Sequence, residues 1–403
     1  MDITATSSHR CRISQRVRSI SNSATKEMAL LAARIGGCVS LGQGVPSFAT
    51  PPHIIEAVTK ILIEDPGSGK YSLQTGMARL RKRIAEYMLM EKNITVDPES
   101  EVCVTVGGME ALLATVLTVV DQGDEVILPS PTYASYIEQI TLAGGIPKFV
   151  PLTSDWGLDL QAVNRAVTPR TRAIILCNPG NPTGTVFSNE ETISLCELAV
   201  SRDFVVITDE AYDYIVYDGE KVLSPLSIEK FRDNVISIYS FSKKYGLTGW
   251  RVGWVAAAQK WMEQIMKVHD ATAICSPTPS QFAALAALDG DQECVTVMRD
   301  ALIERRTRCC ARLDKLSKYF SYVPPKGAFY VMAKYLFSEA SSQEVAIRLL
   351  EEAKVITIPG GSFGQGGEGH LRISFGGELQ AIDEAFDRIE RWLEFGSHQT
   401  GLI

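Results

Sequence analysis

The sequence predicts an α/β protein whose larger part is a mainly parallel sheet covered by helices. Three observations carry that reading. Apolar, strand-like runs alternate with helical patterns through the middle of the chain. Those runs are too apolar to leave a face in water, as strands covered on both sides are. At 403 residues, with 45% apolar and 22% charged residues, the chain has room for one large domain and a smaller one.

The strand runs are "EVCVTV" (101–106), "DEVILP" (124–129), "IPKFVPL" (146–152), "TRAIILC" (171–177), "FVVITDEAY" (204–212) and "NVISIYS" (234–240). "PPHIIEAVTKILIED" puts proline at a helix start, where its fixed φ is an advantage. "LDLQAVNRAVTPRT" reads as a short helical crossover closed by Pro169. Beyond about residue 290 the texture changes to a long charged helix, then "GAFYVMA", a helix near 343–354, "VITIPG", "HLRISF" and a closing helix near 378–395. The expected division is a large domain over 50–290 and a small α/β domain built from 1–49 and 291–403. The run "ERRTR" is expected to be the solvated face of the long helix.

Lys plus Arg (40) against Asp plus Glu (47) gives a net charge of −7, no electrostatic reason to expect nucleic acid or an anionic membrane as partner. No stretch approaches the apolar length of a membrane span. The nine cysteines are odd in number, scattered and without a C-x-x-C, and the five histidines do not cluster near them. Neither a disulfide framework nor a metal site is expected, which favours a reducing compartment. The opening "MDITATSSHRCRISQRVRS" is rich in Ser and Arg, as transit peptides are, but short. The cytoplasm is the expected location.

Ligands of open parallel sheets sit at the carboxyl ends of strands. The 204–208 run ends in Asp209, with Tyr212 after it; 171–177 ends in "NPGNPTG" (178–184); 234–239 ends in "SFSK"; 101–106 ends in Gly107-Gly108. Singly, each has a plain structural explanation: a helix cap, a proline turn, a strand-to-helix glycine. Together they bring an acid, an amide, a phenol, a lysine, hydroxyls and a glycine turn to one rim. A lysine beside Ser240 and Ser242 suggests a phosphate-bearing cofactor. A Schiff-base lysine holding pyridoxal 5′-phosphate needs an acid at the ring nitrogen, a donor at the ring hydroxyl, a phosphate cup and an aromatic ring on the pyridine. The chain has a candidate for each.

From about Arg16 to about Trp392 the sequence resembles the fold-type-I, class I/II pyridoxal-phosphate aminotransferases, near the group with prokaryotic aspartate and aromatic aminotransferases. The motif S-x-[S/A]-K-x-x-G-[L/M]-x-G-x-R-x-G is met by "SFSKKYGLTGWRVG" (240–253). It puts the lysine eight residues before the arginine and three before the first glycine, which selects Lys243 over Lys244. On extended backbone the two would point to opposite sides, leaving Lys244 an ordinary charged residue.

The resemblance implies a catalytic set of Lys243, Asp209 and Tyr212. Asp209 would hold the pyridinium nitrogen, Asn181 and Tyr212 the ring oxygen, and Tyr133 would stack on the ring. Ser240, Arg251 and the amides of Gly108 and Met109 would hold the phosphate, with Ser242 nearby. Arg372 in "GEGHLRISF" would clamp the substrate α-carboxylate, with the amide of Gly44 in "LGQGVPSF" sharing it and Asn181 close by. Tyr71 in "GKYSLQTGMARLR" resembles a tyrosine that reaches the neighbouring subunit's cofactor, which implies a homodimer. "EDPGSGKYS" (64–72) resembles a phosphate loop, yet Glu64 stands where glycine is needed and Tyr71 where Ser or Thr is needed.

The implied reaction moves an amino group from an L-amino acid to a 2-oxo acid such as 2-oxoglutarate. Some acid-selective relatives carry a lysine after the "GG"; here Met109 stands, which favours apolar or aromatic donors. Against this, "RVRSISNSAT", with Thr25, resembles the entrance segment of acid-using relatives, so aspartate remains a candidate. A β-lyase or an aminocyclopropane-carboxylate synthase-like enzyme would share these motifs. A transcription regulator on this fold needs a DNA-binding module, and only some 15 residues precede the matched region. A dead scaffold would be expected to lose Lys243 or Asp209.

Overall fold

A computed structural model describes residues 13–20 and 23–395. Cys11, most of the Ser/Arg-rich opening, and Ser21 and Asn22 of the entrance segment lie outside the described residues.

All six apolar runs are strands of one seven-stranded sheet: β1 (Val102–Thr105), β2 (Glu125–Ser130), β3 (Ile146–Pro151), β4 (Thr171–Cys177), β5 (Val205–Asp209) and β6 (Val235–Ser240). The seventh, β7 (Gly253–Ala257), was not singled out in the sequence. The order is β1-β7-β6-β5-β4-β2-β3. Neighbours from β6 to β3 run parallel, while β7 runs antiparallel to both β6 and β1. Side chains alternate between two cores. Val126 and Leu128, Ala173 and Ile175, Val205 and Ile207 pack on one face; Ile127, Ile174, Leu176 and Val206 pack on the other. Each buried Val, Ile or Leu contributes about 1.5–3 kcal/mol.

The edge strand β3 departs from expectation. Ile146 and Phe149, on opposite faces, are exposed there, so this run is only partly covered on either side. Pro147, Lys148 and Pro151 make the edge a poor template for another strand.

The helix Pro52–Glu64 starts at proline as expected. Gly107–Val119 follows β1, Leu160–Ala166 bridges β3 and β4, and a Ser188/Glu191 capping box starts Asn189–Arg202. Beyond residue 290, Glu293–Lys315, Ser342–Ala353 and Leu379–Phe395 are helices. They accompany a four-stranded antiparallel sheet of Phe320–Tyr322, Tyr330–Tyr335, Ile358–Pro359 and His370–Ser374. Val39–Ser40 pairs in parallel with Val355–Ile356, joining an N-terminal segment to this C-terminal region. The "ERRTR" run is not simply a solvated face. Arg305 is buried, donating to the Gly376 carbonyl at 2.9 Å and pairing with Glu378 at 3.1 Å. Among the described residues, no helix is long and apolar enough to cross a membrane.

Candidate active site

Four parallel strands end at one rim and hand over directly to the predicted residues. β5 ends at Asp209 and is followed by Tyr212; β4 leads to Asn181; β2 leads to Tyr133; β6 ends at Ser240. β7 makes the fifth contribution because it is antiparallel. Its beginning, rather than its end, lies at this rim, with Gly253 opposite both Ser240 and Thr105. That brings Arg251, two residues earlier, beside the start of the helix Gly107–Val119. Gly107 has φ +73°, and a Cβ there would fall 2.5 Å from an Arg251 guanidinium nitrogen, so glycine is required on both counts.

These residues line a cavity of about 530 Å³. Lys243, Asp209, Tyr212, Gly108, Met109, Tyr133, Asn181, Ser240, Ser242, Arg251, Gly44 and Arg372 all reach it. Tyr71 does not: it is on the surface, 78% exposed.

The backbone carrying the two lysines is a helical turn, Phe241–Lys244, and not the extended chain assumed from the sequence. The lysines still diverge, because successive helical residues are about 100° apart. Lys243 Nζ donates to the Gly44 carbonyl at 2.5 Å inside the cavity. Burial, then the nearby Arg251 and Arg372, lower its pKa to about 8, with Asp209 opposing. Lys244 points the other way, but it is no ordinary surface charge. Its Nζ donates to Tyr87 Oη at 3.0 Å and lies 4.7 Å from the Tyr87 ring centre and 5.6 Å from that of Tyr245.

Asp209 accepts from Tyr136 Oη at 2.7 Å and from the Ala211 amide at 3.2 Å. Burial pushes its pKa up and these hydrogen bonds pull it back. Arg372 donates to Asn181 Oδ1 at 3.2 Å and to the Gly42 carbonyl at 2.7 Å, while its Nε is buried without a partner. Its guanidinium lies 4.7 Å from the Tyr330 ring centre and 4.9 Å from that of Phe363. Tyr212 and Tyr330 share a hydroxyl–hydroxyl bond of 3.0 Å. Arg251 is held by the Thr248 carbonyl at 2.9 Å and lies 3.4 Å from Ser242 Oγ.

Sequence reasoning missed Tyr136, Tyr330 and Gly42. Tyr136 stands three residues after Tyr133, one helical turn away, which is a usable signal. Tyr330 could be found only from sheet register. Met332 is opposite Arg372, so Tyr330 is its diagonal neighbour on the same face.

The charges lining the cavity are unbalanced. Lys26, Lys243, Arg251 and Arg372 face one carboxylate, Asp209. Cations drawn partly or wholly out of water need anions, so the donor set fits a phosphate at Arg251, Ser240, Ser242 and the helix start, and a carboxylate at the buried Arg372. The aromatic Tyr133 and the carboxylate of Asp209 fit a flat, basic heterocycle between them. The residues present therefore suit pyridoxal phosphate with an amino acid.

Comparison with known proteins agrees. The family model for aminotransferase class I and II matches residues 36–389. The chain is 35% identical over 386 residues to aromatic-amino-acid aminotransferase 2 of Thermococcus litoralis, covering 95% of this chain and 98% of that protein. It is 35% identical over 385 residues to an aspartate aminotransferase of Pyrococcus abyssi, covering 94% and 98%. The solved structure of Thermus thermophilus aspartate aminotransferase with maleate superposes with a TM-score of 0.88 at 33% identity, covering 94% of this chain and 99% of that one.

Proposed function

Because the chain belongs to the class I and II aminotransferase family, with its type I fold and its pyridoxal 5′-phosphate, we propose that it moves the amino group of apolar or aromatic L-amino acids, with aspartate as a further candidate donor, to a 2-oxo acid such as 2-oxoglutarate. The observation carrying this reading is the geometry of Arg372. A buried guanidinium, with one nitrogen unpartnered, faces the same cavity as the buried amine of Lys243.

In this reading Asp209 holds the cofactor's ring nitrogen, and Asn181 and Tyr212 its ring oxygen. Tyr133 covers the ring face. Arg251, Ser240, Ser242 and the amides of Gly108 and Met109 hold the phosphate. When bound, the cofactor supplies an electron sink for the pair left as a Cα–H bond breaks. The protein does the rest. Arg372 grips the α-carboxylate with two nitrogens and fixes which Cα bond is presented, with Gly44 and Asn181 beside it. Lys243 Nζ takes the Cα proton as a base and returns it as an acid. Its lowered pKa supports the role, because the neutral amine is then populated near neutral pH.

Met109, 38% exposed at the cavity, supports apolar donors, since a thioether cannot pair with a distal carboxylate. The surface position of Tyr71 supports a homodimer in which it serves the partner's cofactor. A second cavity of about 540 Å³, opening on Arg251 and Thr248, offers a way in for such a residue. The division into 50–290 and 1–49 plus 291–403, and a cytoplasmic location, belong to the same proposal.

The test is an absorbance titration of the yellow holoenzyme with single amino acids and no 2-oxo acid. Loss of the yellow band, restored by a 2-oxo acid, is expected, and the order of effective donors names the substrates. A band that persists while pyruvate and ammonia accumulate, or a cyclised product, would mean a lyase or a cyclising synthase instead.

A further inference from the structure

The helix Gly107–Val119 starts at the phosphate cup, and its first turn carries Glu110. One oxygen of that carboxylate accepts from the Val106 amide at 3.1 Å, immediately before Gly107-Gly108. The other lies 3.0 Å from Nδ1 of His269, on the helix Gln259–Ala273. His269 is completely buried and its Nε2 has no partner.

A carboxylate can only accept, so this bond needs the proton on Nδ1, while Nε2 finds no partner at all. A buried orphan nitrogen is a cost that an apolar side chain of similar size would avoid. What the histidine adds over such a side chain is the bond of its other nitrogen. It holds the carboxylate in the one orientation that also reaches Val106. Without it, Glu110 is a half-buried carboxylate with a single fixed bond and freedom to rotate off Val106. The loop whose amides face the phosphate would then lose its brace. Gln139, on the helix Ala134–Ala143, also ties this turn, donating to the Met109 carbonyl at 3.0 Å.

We propose that His269 is a positioning residue for the cofactor phosphate, acting through Glu110 to set the Val106–Met109 turn. This rests on the phosphate lying at that turn, as argued above. The consequence is specific: cofactor retention depends on a hydrogen-bond donor at the Nδ1 position, not on the bulk of the ring. Asparagine places an amide nitrogen near that position and leucine does not.

The experiment measures release of pyridoxal phosphate from the holoenzyme into excess apo-acceptor protein, alongside the ³¹P chemical shift of the bound phosphate. Variants are His269→Leu, His269→Asn and Arg251→Met. His269→Leu should release the cofactor about tenfold faster and move the ³¹P signal, and His269→Asn should recover most of both. Equal behaviour of the Leu and Asn variants, or wild-type values in His269→Leu, overturns the proposal. Arg251→Met separates the two layers. If it also leaves retention and the ³¹P signal unchanged, the phosphate is not at this cup and the site reading fails as well. If only Arg251→Met releases the cofactor, the His269 inference alone fails. Should His269→Leu not accumulate as folded protein, Glu110→Gln replaces it. Loss of the charge used by both bonds should speed release several-fold, and no change overturns the proposal.

Discussion

Tyr136 donates its hydroxyl to Asp209 Oδ2 at 2.7 Å, from a helix that starts just after the cavity-lining Tyr133. The bond opposes the effect of burial on Asp209, which by itself favours the neutral acid. A neutral acid could not keep a ring nitrogen protonated. Tyr136→Phe should therefore lower kcat by about 10- to 100-fold, the worth of one hydrogen bond to a charged group. Steady-state rates with saturating cofactor check this; an unchanged kcat would make Tyr136 a packing residue only.

The two adjacent lysines should separate cleanly. Lys243→Ala should remove at least about 10⁴-fold of the transamination rate, since base and acid are the same group. Lys244→Met should keep most activity and lose stability instead, because its ammonium lies among Tyr87, Tyr214 and Tyr245. Single-turnover rates and thermal melts on both variants decide it.

A pH dependence follows from the Lys243 pKa of about 8. Only the neutral amine is nucleophilic, so capture of pyridoxal phosphate by apoenzyme should rise about tenfold per pH unit below about 8 and level off above it. The stability effect has the same origin. Between about 8 and 10.5 the unfolded chain binds the extra proton, so the burial penalty of Lys243 is full below 8 and disappears as pH rises through 10.5. A capture rate that keeps climbing towards the ordinary lysine pKa would contradict the burial argument.

Met109→Lys should raise aspartate turnover relative to phenylalanine by supplying a cation at the cavity wall. The kcat/KM ratio for the two donors is the readout. No change in that ratio removes Met109 from substrate choice.

Mixing subunits tests both the proposed homodimer and the part of Tyr71 in it. Homodimers of Lys243→Ala and of Tyr71→Ala should both be impaired, while mixed dimers hold one site with both wild-type residues. Recovered activity on mixing supports sharing across an interface; its absence, with mixed dimers verified by mass, means Tyr71 acts elsewhere.

Much of this site was legible because parallel strands deliver residues in sequence at their carboxyl ends, so Asp209, Asn181 and Ser240 follow directly from apolar runs. β7 was not legible. "GWVAA" is short, preceded by a glycine-rich turn and run straight into a helix, and its antiparallel direction leaves no helical crossover before it to mark it. Tyr330 and Gly42 were hidden for another reason: their role depends on register and on contacts between distant segments. The turn at 241–244 shows the limit of local reasoning, since spacing singled out Lys243, which does line the cavity, while its backbone was assigned the wrong conformation.

The antiparallel β7 also fixes when the site can exist. Thr105 and Gly253, which lie beside the turn proposed to hold the phosphate, are paired across roughly 150 residues of chain, and Arg372 arrives later still. A growing polypeptide has most of its parallel strands before it has any cup for the cofactor. Yellow colour acquired during synthesis or refolding would thus mark the last stage of assembly, and pyridoxal phosphate would act as a clamp on a finished molecule rather than as a template for an unfinished one.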